Sequence, residues 1–572
     1  MWIQSSYCKP ISLRESISKY CGPIQIACDV PNSLFKLSVS FPFPKASTQL
    51  MDPYRILLLL FFFLRLHEGW ATAVQGGQFA KGSIEVGGLQ LREHATFTKI
   101  WTAAPLNSGD SSATFFSPSS LPSGFFPLGS HAQRHNPNPS PPRALIARDT
   151  SNSLASPSDF TVLFSSNFSS PSPAFFWLPI PPPGYTAAGH VITTSPQKPP
   201  LSSLRCLPNH LLEPCHSDAP TWSPKSDLPF TVHLSYSLGT FVAGGEPPLH
   251  CLKKNVIALA AMPNLTQIMA LIQTFSPIFN FHPNELYLPS SVPWFFNNGA
   301  LLYTNSSSNG PVRIDPPGTN LPQGGTNDGA YWLDLPTDAA SQNSIKAGNL
   351  SSAEAYIHIK PTLGGTATDI VFWLFYPFNG PARARVGFID IALGRIGEHV
   401  GDWEHVTQRF SNFDGEMTQM YFSQHSSGEW VNAAELEYAA AGERRPVAYA
   451  TLHGHAFYSK AGLVLQGEVE KKIGIRDETA EGGAVMDAAA GCVVVSAEHL
   501  GLEEPAWLQY MREWGPKVSY DVDKELGKMI RFLPGKMKRG LRTLVSRLPK
   551  EMLGEEGPTG PKGKASWNGE ES

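Results

Sequence analysis

The sequence is short of charge, of metal-binding cysteine patterns and of long apolar runs. Asp, Glu, Lys and Arg make up only 16 % of its 572 residues, and the formal net charge is −4. That near balance gives no global attraction to nucleic acid, and no nucleic-acid partner is expected. None of the seven cysteines stands in a CxxC pair, which argues against a thiolate zinc site. There is no GxSxG elbow, no phosphate-binding P-loop and no HExxH helix, so a nucleophilic enzyme is not indicated. The apolar run Ile56 to Leu64 is too short to span a bilayer.

Turn-forming residues and aromatics are plentiful. Proline (51) and glycine (49) are both high, which favours short strands over long helices. The length exceeds one hydrophobic core, and two or three domains are expected. Cys206, Cys215, Cys251 and Cys492 lie beyond the N-terminal segment and either form disulfides or stay as thiols, the thiol reading standing first.

Residues 1–75 read as a disordered extension with a signal-like apolar stretch at 56–73. Met51 then serves as a start and Ala71-Thr72-Ala73 as a cleavage pattern, the alternative being a chance hydrophobic run. The expected location is cytoplasmic or endomembrane-associated, or the secretory pathway if Met51 opens a signal peptide. The sequons at Asn167, Asn264, Asn305 and Asn349 are compatible with secretion without establishing it.

Residues 76–215 contain a repeat. Phe115-Phe116 matches Phe175-Phe176, Gly124-Phe125 matches Gly184-Tyr185, and Gly129 matches Gly189, all at an offset of sixty. Each copy reads as a strand, a Pro-Gly turn and returning strands. The alternating stretch Gly82–Leu91 with Phe97–Trp101 reads as a divergent third copy. The expectation is a β-prism-like repeat domain. A linker is expected over 216–261 and a β-sandwich over 262–520, with Ile370–Tyr376 as a central strand because it is apolar on both faces. The fold class is therefore mainly β, a prism-like domain followed by a sandwich with C-terminal helices.

Long phrases in the second half carry a resemblance: FHPNELYLPSSVPWFFNNGALLY, LPQGGTNDGAYWLDLP, FWLFYPFNGPARARVGF, GRIGEHVGDWEHVT and REWGPKVSYDVDKEL. They resemble the plant branch of the vacuolar protein sorting-associated protein 62 family over about 76–572. The resemblance implies a link to vacuolar sorting and no defined reaction.

Gly397–His405 is the densest polar cluster. On a strand, Asp402 and Glu404 project from one face, with His399 just before them and Asp390 on the preceding segment. Such oxygen donors suit a divalent cation, Mg or Ca, and the histidine also admits Zn or Fe. The stretch is similar to the GHRHDWE heptapeptide of necrosis-inducing cytolysins. That resemblance implies metal ligation by His399, Asp402 and Glu404, with Asp390 as the upstream ligand, on a sandwich that engages sphingolipid headgroups. It departs from the motif at Glu398, Val400 and Gly401. The alternative is a buried hydrogen-bond network, in which the two carboxylates need a basic partner such as Arg383, Arg385 or Arg395. His453-Gly454-His455 reads as a structural pair, and His282 and His425 as structural singles.

Residues 521–553 show helical spacing of Leu526, Met529, Ile530 and Leu533, then Leu541, Leu544 and Val545, among many Lys and Arg. Such basic amphipathic helices fit an anionic membrane surface, or pack their apolar face on the sandwich and leave the charges solvated. Residues 554–572 read as a disordered tail. Three functions follow: a non-enzymatic membrane- or lipid-associated protein with membrane lipids, glycolipid headgroups or trafficking proteins as partners; a metal-dependent hydrolase of phosphoesters or glycolipids; or a structural interaction scaffold.

Overall fold

A computed structural model describes residues 82–571 apart from 104–111, 136–140, 167–172, 216–219, 225–229, 246–247, 254–257, 307–309, 426, 469–471, 548–554 and 570, together with the paired short strands Ile26–Ala27 and Ser38–Val39. The expected apolar stretch at 56–73 and the sequon at Asn167 lie outside the described residues.

The doubly apolar run Ile370–Tyr376 sits where its pattern predicts. It belongs to the second of six strands: β1 (Ala355–Thr362), β2 (Ala367–Asn379), β3 (His399–Ser411), β4 (Met417–Gln424), β5 (Ser427–Asn432) and β6 (Cys492–Ser496). They form one sheet in the order β5-β4-β3-β2-β1-β6, antiparallel except for the β1–β6 pair. All of β2 is buried, because both faces of the sheet are covered. On one face Ile370, Phe372 and Leu374 meet Ile268, Leu271 and Phe275 of helix α1 (Leu265–Phe275), alongside a four-stranded sheet of short strands. Helix α1 starts at a capping box, with Asn264 accepting from the Gln267 N–H and Gln267 accepting from that of Asn264. On the other face Val371, Trp373 and Phe375 meet Phe295 and Phe296 of helix α2 (Val292–Asn297) and the rings of Trp507, Trp514 and Trp567.

The repeat is present, but its third copy lies elsewhere. Phe97–Ala103, Ala113–Pro118 and His131–Arg134 form one three-stranded sheet; Asp159–Ser165, Phe175–Ile180 and Val191–Thr193 form a second with the same strand order. The third position is taken by the hairpin Thr231–Leu234 and Phe241–Gly244, with Trp222 bridging Val232. Trp101, Phe115, Phe176, Trp222 and Phe241 share one core. Backbone hydrogen bonds link the three units in a ring: Ser130 donates to His190 (2.8 Å), His190 to Phe241 (2.8 Å) and Phe241 to Ser130 (2.9 Å). At its centre Gly129 and Gly189 approach so closely that a Cβ on Gly129 would lie 2.7 Å from the Gly189 Cα, which no side chain permits. The stretch Gly82–Leu91 instead feeds a four-stranded sheet with Ala144–Asp149. The segment expected to link two domains, 216–261, thus contains three described strands, and the Cys215–Cys251 disulfide ties one of them, Leu249–Leu252, to the preceding strand Leu212–Cys215. Cys206 is a free, buried thiol.

The expected β-prism and β-sandwich are not formed. Every sheet among the described residues is open, and none curls onto itself. In the N-terminal half the repeat strands hydrogen-bond into sheets only within their own unit. In the second half the central sheet is covered on one face by α1 and a four-stranded sheet of short strands, and on the other by α2, aromatic loops and a three-stranded sheet that includes Leu302 and Leu333, each of these sheets being open. The two halves meet where Phe413, from the turn after β3, enters the core of Leu128, Leu145 and Leu238. Beside it Arg143 bridges Glu93 (2.7 Å) and Asp414.

Helices α3 (Val522–Ile530) and α4 (Gly535–Val545) lay Leu526, Ile530, Leu541, Leu544 and Val545 on a four-stranded sheet that includes Arg383–Val386, Ile389–Ala392 and Ile473–Thr479. The polar tail, expected to be disordered, folds back on the central sheet. Trp567 stacks on His358 at 3.7 Å, and the Glu571 carboxylate is buried among Lys360, His405 and Thr407.

Candidate functional site

Strand β3 places Asp402 and Glu404 side by side on the α1 face of the central sheet. Both are buried, at 6 % and 9 % exposure, so each carboxylate depends on protein partners. Asp402 accepts from the His455 Nδ1 at 3.0 Å. The His455 ring is fully buried and lies flat on Tyr376, centroids 3.8 Å apart. Glu404 accepts a short hydrogen bond from the Ser423 hydroxyl of β4. Next to them His425 pairs with Asp477 (2.9 Å), which also accepts from the Tyr458 hydroxyl (2.7 Å).

The environment drives the two carboxyl groups apart. Burial and the Asp402 charge push Glu404 up to about 7. Asp402 is buried as deeply, but the His455 hydrogen bond and the nearby charges of His399 and Lys564 hold it below the usual carboxylate range. His425 is raised to about 9, because Asp477, Glu404 and Asp402 outweigh its burial. His455 is raised by the Asp402 hydrogen bond against burial. At neutral pH one carboxyl is therefore largely ionised while its neighbour is near half-protonation. On and beside His455, the buried His455 Nε2, Tyr376 hydroxyl and Thr451 Oγ1 have no hydrogen-bond partner among the described residues.

The residues expected to bind a metal are only partly brought together. Asp390 lies in the hairpin of another sheet, clamped by Arg385 (2.7 and 3.0 Å) and Arg476 (2.7 Å). His399 turns its Nδ1 to the Gly401 carbonyl at 2.7 Å. With Asp402 engaged by His455 and Glu404 by Ser423, no group of three or more His, Cys, Asp or Glu among the described residues is arranged to hold a metal ion. The expected divalent cation, Mg or Ca, is therefore withdrawn. Gly401, where the cytolysin heptapeptide has a histidine, has φ +67°, and a Cβ there would lie 2.4 Å from the Trp514 carbonyl oxygen. A histidine does not fit that position.

The arginines proposed as counter-charges are engaged elsewhere: Arg385 holds Asp390, Arg383 faces Glu478 and Arg395 lies over Tyr520. The cationic partner of the cluster is His455, which the His-Gly-His pattern hinted at without indicating Asp402. His453 takes a different role, its backbone N–H donating to the Glu285 carboxylate at 2.6 Å.

A second feature lies on the outer side of α4 and the turn before it, beyond Asp523 and Glu525 of α3. Lys528 to Arg547 contains seven basic residues and no acidic one. Since the apolar side of these helices is buried, Lys536, Arg539 and Arg542 face solvent, and no carboxylate pairs with them among the described residues.

Residues 63–571 match the family described as vacuolar protein sorting-associated protein 62. The chain belongs to this family. No curated protein sequence matches it. Among solved structures it is similar to GNIP1Aa from Chromobacterium piscinae at 16 % identity, over 32 % of this chain and 40 % of that one, with a TM-score of 0.25. The chain thus spans well under half of that protein's length. NLPPya, solved in complex with glucosamine, matches at 14 % identity over 42 % of this chain and 77 % of its own, TM-score 0.20. Necrosis and Ethylene inducing Protein 2, from the causal agent of cocoa's Witches Broom disease, matches at 14 % identity over 40 % and 74 %, TM-score 0.18. Each of these likenesses is weak.

Proposed function

We propose that this member of the family is a non-enzymatic peripheral membrane protein that adsorbs to anionic lipid headgroups through the outer surface of α4 and the turn before it. The observation that carries this reading is the unmixed basic run Lys528–Arg547, which turns Ile530, Leu541, Leu544 and Val545 inward and leaves Lys536, Arg539 and Arg542 outside. Each Lys or Arg near an anionic leaflet contributes about 1 kcal/mol, an attraction that salt screens. With the whole chain at −4, this local excess of positive charge orients the approach. No described helix is long and apolar enough to cross a membrane. The family description, with its reference to vacuolar sorting, agrees with work at a membrane surface.

Flotation of the full chain with vesicles tests this. Phosphatidylserine-containing vesicles should carry the protein at low salt and release it as salt rises, while phosphatidylcholine vesicles should not. The triple change Lys536→Glu, Arg539→Glu and Arg542→Glu should abolish flotation with an unchanged melting temperature. Equal flotation of this variant and the natural chain would overturn the proposal.

A further inference from the structure

Two phenylalanines far apart in sequence stand in the open beside the same helix corner. Phe388 is 90 % exposed at the tip of the hairpin joining Arg383–Val386 to Ile389–Ala392, and Phe532 is 81 % exposed in the turn between α3 and α4. They are the most exposed large hydrophobic residues among those described. A single exposed apolar residue needs no explanation. These two both flank the start of α4. The Met537 Cε, in the first turns of α4, lies 3.5 Å from where a side chain on Gly387 would begin, next to Phe388. Phe532 precedes α4 directly, and Lys538 of α4 donates to the Arg531 carbonyl at 2.9 Å, holding that turn against the helix start. Each ring also carries a cation: Lys472 lies 4.8 Å from the Phe388 centroid and Arg531 4.5 Å from that of Phe532. The Gly387 N–H donates to the Lys472 carbonyl at 2.9 Å, so hairpin tip and cation are fixed together.

We infer that Phe388 and Phe532 are a two-point wedge that enters the acyl boundary of an anionic bilayer while Lys472, Arg531 and the α4 cations hold the phosphates above it. The inference rests on the membrane reading above. It adds the hairpin 383–392 to the interface and makes the contact one of insertion as well as charge. A ring pushed below the headgroups gains by leaving water, and a cation at its face stays in reach of phosphate, the arrangement of interfacial aromatic and basic residues. The partner fitted by this pattern is a lipid surface, because its charge is broad and negative and its apolar layer lies at a fixed small depth.

The test uses the full chain with Phe388→Ala, Phe532→Ala, the double variant and the charge-reversed triple variant. Vesicle partitioning and the pressure rise of a phosphatidylserine-containing monolayer are measured. Each single Phe→Ala change should lower partitioning about tenfold, and the double variant about a hundredfold with loss of the pressure rise. Both rings face solvent, so melting should not change. If the double variant partitions and raises the pressure as the natural chain does, the wedge is wrong while electrostatic adsorption stands. If the natural chain itself fails to bind anionic vesicles, both the wedge and the membrane reading fall.

Discussion

On one face of β3, His405, Thr407 and Arg409 meet charges that answer them. Glu571 accepts from His405 (3.0 Å) and Thr407 (2.8 Å), and Asp369 takes Arg409 in a two-pronged pair at 2.8 Å. On the opposite face of the same strand, Asp402 and Glu404 sit together with His455 and Ser423 as their direct partners. The first face gives each buried carboxylate a basic partner, Lys360 for Glu571 and Arg409 for Asp369, and holds the tail in place. The second buries an excess of carboxylate, and a proton on Glu404 makes up part of the difference. Burial on its own therefore does not separate scaffold from site. The balance of charge around the buried group does.

That contrast can be broken from the matched side first. Removing Arg409 by Arg409→Ala strands a buried Asp369 and should lower unfolding free energy by about 3–5 kcal/mol in urea titration. A loss below about 1 kcal/mol would show that the pair is not buried as described. Glu571→Ala should cost about 2–3 kcal/mol by removing the carboxylate that accepts from Lys360, His405 and Thr407. Its depressed carboxyl implies stability that is complete above the unfolded carboxyl range near ~4.3 and is lost as pH falls through the lower folded value.

The unmatched side should behave in the reverse sense. Glu404 has a folded pKa of about 7, raised above its unfolded value, so its contribution is present at low pH and is lost as pH rises through about 7. Between pH 5 and 8 this should remove about 2 kcal/mol of stability, a slope that Glu404→Gln flattens. Asp402, lowered, acts in the opposite direction and only in acid. The smallest effect belongs to Ser423→Ala, which removes a donor to the ionised Glu404 and should move the titration midpoint upward for about 1 kcal/mol. A midpoint that moves down would mean that Ser423 accepts from a protonated Glu404.

The central strand was legible because Ile370–Tyr376 is apolar on both faces, and only a strand covered twice tolerates that. Two repeat copies were legible because Phe-Phe, Gly-aromatic and Gly recur at equal spacing. The third was not: its core positions, Trp222, Val232 and Ala243, occupy a shorter copy without the Phe-Phe mark. The pairing of Asp402 and Glu404 followed from strand alternation. Their partner His455 comes from a loop fifty-three residues from Asp402, a contact that no local period encodes. Asp390 was misplaced because closeness in sequence does not fix which sheet a hairpin joins. The apolar spacing of α3 and α4 marked Leu526, Ile530, Leu541, Leu544 and Val545, which are buried, and also Met529, which is exposed, while Phe388 left no trace, since one exposed ring at a hairpin tip has no pattern around it. The tail misled through composition: Trp567 and Glu571 are anchors set among Gly, Pro and Ser.

The hydrogen-bond ring through Ser130, His190 and Phe241 bears on how this chain can change over evolutionary time. Repeats stacked in a row can gain or lose members, because each new copy meets a free end. Here every unit's donor is taken by the next and the last returns to the first. A duplicated fourth copy would find no vacant acceptor, and deletion of one would strand a backbone N–H and a carbonyl beside an opened aromatic core. The number of units is held at three by their neighbours, so variation is confined to the turns that project from them.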